Sequence, residues 1–293
     1  MSEAGTSNTP HPRSGEGSEA AIADVCTIMC PVPAVPPRKH PKLARSPLVN
    51  VVCQVRFPPV LALGAEGTKH ELLAALQRDL ADYPLFAQLM GQEIVLGPEG
   101  VQSHEAKPAS FRFSSDDDVW NIGLSLDSLS LQTTRYDHFN DFVDRWRSIA
   151  SVVQAHVAPS RQLRVGLRYV DELRAEGADS PAKWADLLAP EVLGLAASKS
   201  WAPMATQSFQ EWVLNIDEEV RCTIRHGFLP PAVHGRDPFY LLDTDCYIEH
   251  VGPFQPETQV AHLDRFNDVA YKLFRDSLAE PLYAAFEPEE GES

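Results

Sequence analysis

Asp243, Asp245 and Glu249 are the residues whose type and spacing first suggest chemistry. They lie in Leu241-Leu242-Asp243-Thr244-Asp245-Cys246-Tyr247-Ile248-Glu249. If this stretch is a strand, the three acids project from one face and Leu242, Cys246 and Ile248 from the other. Two carboxylates about 7 Å apart on one strand can share a hard cation such as Mg²⁺ or Mn²⁺. Such a pair would serve a metal-dependent hydrolase or phosphoryl-transfer enzyme. The same pattern also describes the solvent face of a sheet in an acidic protein. No lysine, Gly-rich loop or third motif accompanies it. Arg164 and Arg168 form a second constellation, on one face of a strand with Gly166 between them. They are candidates for binding an anion or a partner's carboxylate, or for pairing with the acidic surface itself.

Cys26 and Cys30 stand four apart in the leading segment, but zinc would need a second Cys or His pair at matching spacing and none is near. As accessible thiols they would be oxidisable, which makes the segment a candidate for modification or partner recognition. Cys53, Cys222 and Cys246 fall on apolar strand faces and read as small core residues. Asp116-Asp117-Asp118 lacks the central Gly and terminal Glu of a calcium loop, so a solvated turn is expected. No Gly-x-Ser-x-Gly elbow, Walker A loop, dinucleotide fingerprint or zincin helix occurs. Catalysis is therefore not indicated, and no cofactor is expected outside the Mg²⁺ or Mn²⁺ alternative.

The elements that must position these residues follow from periodicity. Val49 to Phe57 alternates and predicts a strand, stopped by Pro58-Pro59. Thr68 with Glu71 makes a capping box for a helix carrying Leu72, Leu73, Leu76, Leu80 and Tyr83. A short strand near Ile94–Leu96 and another at Phe111-Arg112-Phe113 follow. From Trp120 the alternation runs through Ile122 and Leu124 and switches phase before Leu129 and Leu131. Asp127-Ser128 is a poor two-residue hairpin turn, so a bulge within one strand is expected. Phe139, Phe142, Trp146, Ile149 and Val153 predict a helix, and Arg164–Val170 the next strand. Ser180-Pro181 caps a helix with Trp184, Leu187 and Leu188. Strands at 208–216, 220–228 and 239–249 come next, and Thr258 opens a long final helix.

This order predicts an α+β fold of antiparallel sheets with helices packed on one face, its first half resembling a split βαβ (ferredoxin-like) unit. Residues 1–46 read as a disordered tail rich in Pro, Ser and Gly. Residues 47–286 form a single α+β domain or two packed halves, 47–175 and 176–286. Residues 287–293 are an acidic disordered end.

Four stretches carry a resemblance: SPLVNVVCQVRFPP (46–59), WNIGLSLDSLSLQTTRY (120–136), RVGLRYVDEL (164–173) and LLDTDCY (241–247). With LDRFNDVAYKLF (263–274), they resemble an uncharacterised, sporadically distributed bacterial TIGR-type protein family over residues 46 to 286. The resemblance implies the fold and an accessory bacterial role. It implies no activity and carries over no catalytic residues.

The chain's 293 residues carry a net charge of −16. Five basic and four acidic side chains in the first 46 residues leave that charge to the body. It disfavours nucleic acid and anionic membrane as partners, although Arg38, Lys39, Lys42 and Arg45 form a local basic stretch. An odd count of five cysteines and a polar start point to the cytoplasm. The function expected from these residues is a non-catalytic binding or scaffold protein that recognises a protein or peptide partner.

Overall fold

Val51, Cys53 and Val55 fall on one parity of an alternating stretch, and in the computed structural model they are the fully buried face of β1 (Leu48–Arg56). The structure describes residues 40–64, 66–97, 100–230 and 237–289, with 66–68, 90–97 and 100–109 as backbone only. Compactness divides the chain into Met1–Pro33 and Ala34–Ser293, and everything described belongs to the second unit. Cys26 and Cys30 lie outside the described residues.

The chain order is β1, α1 (Glu66–Asp79), β2 (Leu85–Gly97), β3 (Gly100–Ser114), β4 (Trp120–Ser125), β5 (Ser128–Thr133), α2 (Phe139–His156) and β6 (Arg164–Leu173). Then come α3 (Pro190–Leu193), β7 (Gln210–Asn215), β8 (Val220–Leu229), β9 (Phe239–Ile248), α4 (Pro256–Ser277) and α5 (Glu280–Ala285). The expected sheets are one nine-stranded sheet in the order β2-β3-β4-β5-β1-β6-β9-β8-β7, with every neighbouring pair antiparallel. The β6–β9 ladder runs from Val165↔Ile248 to Leu173↔Tyr240, so one sheet carries strands from both sides of residue 175.

One face of the sheet is apolar and covered. Leu73 and Leu76 of α1 with Leu80 just beyond its end, Phe142, Trp146 and Ile149 of α2, and Leu263, Phe266 and Ala270 of α4 pack there against Val51, Leu131, Leu167 and Cys246. A second cluster continues on the same face. There Trp184, Leu188, Leu282 and Phe286 meet Leu173, Tyr240 and Leu242. A polar chain runs through the first cluster: Trp146 Nε1 donates to Gln259 Oε1 at 3.2 Å, and Gln259 Nε2 donates to Gln162 Oε1 at 3.1 Å. Both glutamines are buried, so this chain fixes how α2 and α4 sit over the sheet.

The structure corrects four local expectations. The phase switch after Leu124 is a two-residue hairpin: Leu124 pairs with Leu129, and Leu126-Asp127 forms the turn. Side chains supply what Asn-Gly would otherwise provide. Ser125 Oγ donates to Asp127 Oδ1 at 2.8 Å, and the turn carbonyls of Leu126 and Asp127 accept from Val60 and Phe57. The strand expected at 94–96 is the thirteen-residue β2, because register slips at Leu89/Met90 and Met90/Gln92 absorb the breaks around Gly91 and Pro108. The helix expected after Ser180 is only a 3₁₀ turn, Pro181–Trp184. Its continuation bonds elsewhere, since Ala189 N–H donates to the Ser277 carbonyl and Ala279 N–H to that of Leu187. Finally, α1 begins at Glu66, which puts Thr68 inside the helix rather than at its cap.

His40–Ser46, assigned to the tail by composition, lies along the body. Leu43 bridges Pro288, and the N–H groups of Ala44 and Arg45 donate to the carbonyls of Glu287 and Phe286. Among the described residues no helix is long and apolar enough to cross a membrane.

Trp146→Phe keeps most of the buried ring but leaves the Gln259 oxygen without its donor. It should lower unfolding free energy by about 1–3 kcal/mol, read as a lower urea midpoint at unchanged slope.

Candidate functional site

Strand parity places the charged residues on the sheet face that the helices leave uncovered. In β6, Val165, Leu167, Tyr169, Asp171 and Leu173 point to the helices, whereas Arg164, Gly166, Arg168, Val170 and Glu172 point away. In β9, Asp243 and Asp245 point away with them, and Thr244 and Cys246 point inward. Register then sets Arg168 opposite Asp245 and one step from Asp243. Arg168 closes a bidentate fork on Asp243, with Nε to Oδ1 and Nη2 to Oδ2 both at 2.7 Å. Arg225 of β8 approaches Asp243 Oδ2 at 3.8 Å and donates to Glu211 of β7 at 2.5 Å. Arg164 donates to Asp245 at 2.8 Å while its guanidinium lies 4.5 Å from the Tyr247 ring centroid. Arg221 holds Glu249 at 3.2 Å.

The three acids read as a possible metal set therefore do not converge, because each faces an arginine of its own. Among the described residues no group of three or more His, Cys, Asp or Glu side chains could hold a metal ion. Arg164 and Arg168, read as a possible anion site, are engaged by the same carboxylates. The Asp243 side chain is only 4% exposed, and the Arg168 fork supplies the hydrogen bonds that burial takes from water. Burial pushes the Asp245 carboxyl up, and Arg164 and Arg168 offset part of that rise.

The cavity with the chemistry of a binding site lies on the other face, at the end of α4. It encloses about 200 Å³ between the His40–Leu48 segment, the Tyr136–Phe139 turn, β6, β9 and α4. Asp171 is its distinctive wall residue, a carboxyl 5% exposed on the apolar face of β6. No donor among the described residues hydrogen-bonds its side chain. Burial pushes its carboxyl up to about 8, and the nearby charge of Asp243 adds to that. Thr244, one diagonal step away on β9, is also buried, and its hydroxyl has no partner among the described residues. Asn267 Oδ1 accepts from Tyr169 at 2.7 Å. Tyr136 Oη lies 3.5 Å from Tyr169 Oη, and burial raises the Tyr136 phenol to about 12. The leading segment closes one side, where His40 Nε2 meets Asp268 Oδ1 at 2.7 Å and stacks obliquely on Tyr271 at 4.4 Å. Lys42 pairs with Asp137 at the mouth.

Asp171 enters the sequence expectations only as part of RVGLRYVDEL. The signal was present: it is the one acid on the strand parity otherwise held by Val165, Leu167, Tyr169 and Leu173. Thr244 stood inside the acidic cluster and drew no notice because it points the opposite way.

A third feature is the free edge at β7. Among the described residues, strand β7 is the last in the sheet and pairs only with β8. Ile216 N–H bonds to the Val220 carbonyl and Ser208 N–H to that of Phe228, which makes the even-numbered residues the bonded partners of β8. The N–H and C=O groups of Glu211, Val213 and Asn215 thus point off the edge. Trp212 is 55% and Val213 58% exposed, and Leu195, Trp201, Met204 and Phe209 before them are exposed too. Gly227 sets where this strand begins. A Cβ there would lie 2.0 Å from the Ser208 carbonyl oxygen, so only glycine lets the chain pass so close before entering β7.

Two outcomes follow from this geometry. Arg168→Met strips the fork from a buried carboxylate and should cost about 2–3 kcal/mol by urea titration, near the low end for a buried pair because Arg168 is half exposed. Adding Asp243→Leu should recover most of that loss. Asp171 in the folded state keeps a proton that the unfolded chain has released, so stability should fall as pH rises from about 4 to about 8 and then level off. Asp171→Asn should flatten that slope, measured as urea midpoints at about pH 5 and about pH 9.

No protein-family model matches the chain, and no curated protein matches it either.

Proposed function

We propose that the chain is a non-catalytic binding protein that recognises a partner protein by adding an extended segment of that partner to the free edge of β7. The observation that carries this reading is the outward backbone of Glu211, Val213 and Asn215, set beside exposed Trp212 and Val213. An open edge supplies a ladder of main-chain hydrogen bonds, and alternate side chains supply selectivity. A large exposed apolar surface usually marks an interaction site. The formal charge of −16 repels a second copy of the chain and favours a partner segment that is neutral or basic.

The arrangement of β6, β1, β5 and β4 with α1 and α2 supports a split βαβ (ferredoxin-like) core, extended by the β2–β3 hairpin. The stretches that resemble the sporadic bacterial family fall on β1, β4–β5, β6, β9 and α4, so membership belongs to the same proposal and concerns fold alone. Cys53, Cys222 and Cys246 are free thiols, as a reducing compartment such as the cytoplasm would keep them. A metal-dependent hydrolase at Asp243 and Asp245 would first have to displace Arg168 and Arg164. Recognition through Cys26 and Cys30 concerns residues outside those described.

Val213→Pro removes an outward N–H without touching the ladder to β8. In affinity capture from the native host followed by mass spectrometry, a partner should be retained by the wild-type chain and by Val213→Thr and be depleted at least about tenfold by Val213→Pro. Binding of that partner should also slow amide exchange along β7. Equal recovery with the proline variant, or unchanged β7 exchange, overturns the proposal.

A further inference from the structure

We infer that the cavity between α4 and the β6–β9 ladder is a binding site for an aliphatic primary ammonium group, with Asp171 as its counter-charge. This does not depend on strand addition at β7, which lies at the far edge of the sheet. Three observations combine to define the ligand.

First, the site is a cavity rather than a flat surface. Its volume of about 200 Å³ exceeds the roughly 150 Å³ that holds a benzene and falls below the pockets of drug-sized ligands, so it suits a single short chain. Second, two buried polar side chains line it without a side-chain hydrogen bond among the described residues, Asp171 from β6 and Thr244 from β9. Buried polar groups are ordinarily satisfied, and one left open at a cavity wall is what a ligand would complete. An ammonium carries three donors and no acceptor. Asp171, Thr244 and the Asn267 oxygen, already shared with Tyr169, can all accept. Third, Tyr136, Phe139, Tyr271 and Phe274 supply aromatic rings to the same wall. Rings offer apolar contact to methylenes and a negative face to a cation.

Alternative ligand classes fit less well. An anion would meet Asp171 and, from the mouth, Asp137. Above about pH 8, where Asp171 gives up its proton, a neutral alcohol would leave the carboxylate without a counter-charge in a low-dielectric setting. A quaternary ammonium would satisfy the rings but offer no donor to Thr244 or Asn267. Lys42, the lysine among the described residues that line the cavity, is committed to Asp137. The ammonium can come from a free small amine or from a lysine side chain of another protein, and the chemistry at Asp171 is the same for both.

The test is calorimetric titration of the full chain with n-butylammonium chloride at about pH 9, where an alkylamine still carries its proton. Binding with a dissociation constant on the order of 1 mM is expected for so small a ligand. N-butanol, of the same shape and without charge, should bind at least about tenfold more weakly. Asp171→Asn should weaken butylammonium at least about tenfold, and Thr244→Val should weaken it about threefold, the latter serving if the first variant fails to fold. Ammonium attracted merely to the acidic surface would survive both substitutions. A second arm uses N-acetyl-lysine methylamide. Tighter binding than butylammonium assigns the site to a lysine side chain, and weaker binding assigns it to a free amine. Equal affinity for butanol and butylammonium, or unchanged affinity in both variants, overturns the inference.

Discussion

The pairing of β6 with β9 is the constraint on which the rest of the structure depends. It joins the strands before residue 175 to those after it in one sheet, where composition leaves a single domain or two packed halves open. Because side chains alternate along each strand, the same register decides the content of both faces at once. On the uncovered face it brings Arg168 onto Asp243 and Arg164 onto Asp245. On the covered face it brings Asp171 beside Thr244 under α4. A slip of one residue would put arginines into the core and leucines into water. Both polar sites are thus consequences of one ladder.

The two faces treat their carboxylates in opposite ways. Asp243 is nearly inaccessible, yet a bidentate guanidinium compensates the charge, and Arg225 lies close behind. Such a pair adds little net stability over a well-packed apolar pair, but losing one partner is costly, so it acts mainly to fix register. Asp171 has no such compensation among the described residues. Burial without a counter-ion pushes it up to about 8, and it costs stability in the absence of a ligand. A fold with a helical layer already in place tolerates that cost. The buried Trp146–Gln259–Gln162 chain and the packing of Phe142, Leu263 and Phe266 hold α2 and α4 against the sheet independently of the cavity.

Much of the architecture was legible because its determinants are local. The alternation at Val51, Cys53 and Val55 and the helical spacing of Phe142, Trp146 and Ile149 each report a period that a short peptide already possesses. The facing of Asp243 and Asp245 away from Cys246 follows from the same period of two. Expectations failed where distant groups supplied the hydrogen bonds. The Leu126-Asp127 turn is held by Phe57 and Val60, and the segment after Trp184 bonds to Ser277 and Ala279 instead of forming a helix. The length of β2 depends on bulges that only its pairing with β3 reveals.

Local pattern alone sets the element types over most of the described chain, the acidic balance, and which residues of β6 and β9 share a face. Tertiary structure decided what those residues do. Whether Asp243 and Asp245 meet a cation or an arginine depends on which strand lies beside them, and strand neighbours are set by long-range packing that no local period encodes. The same holds for Asp171. Its position on an apolar face is written in RVGLRYVDEL, but its isolation at the wall of a cavity arises only when α4, the Tyr136–Phe139 turn and the His40–Leu48 segment close around it.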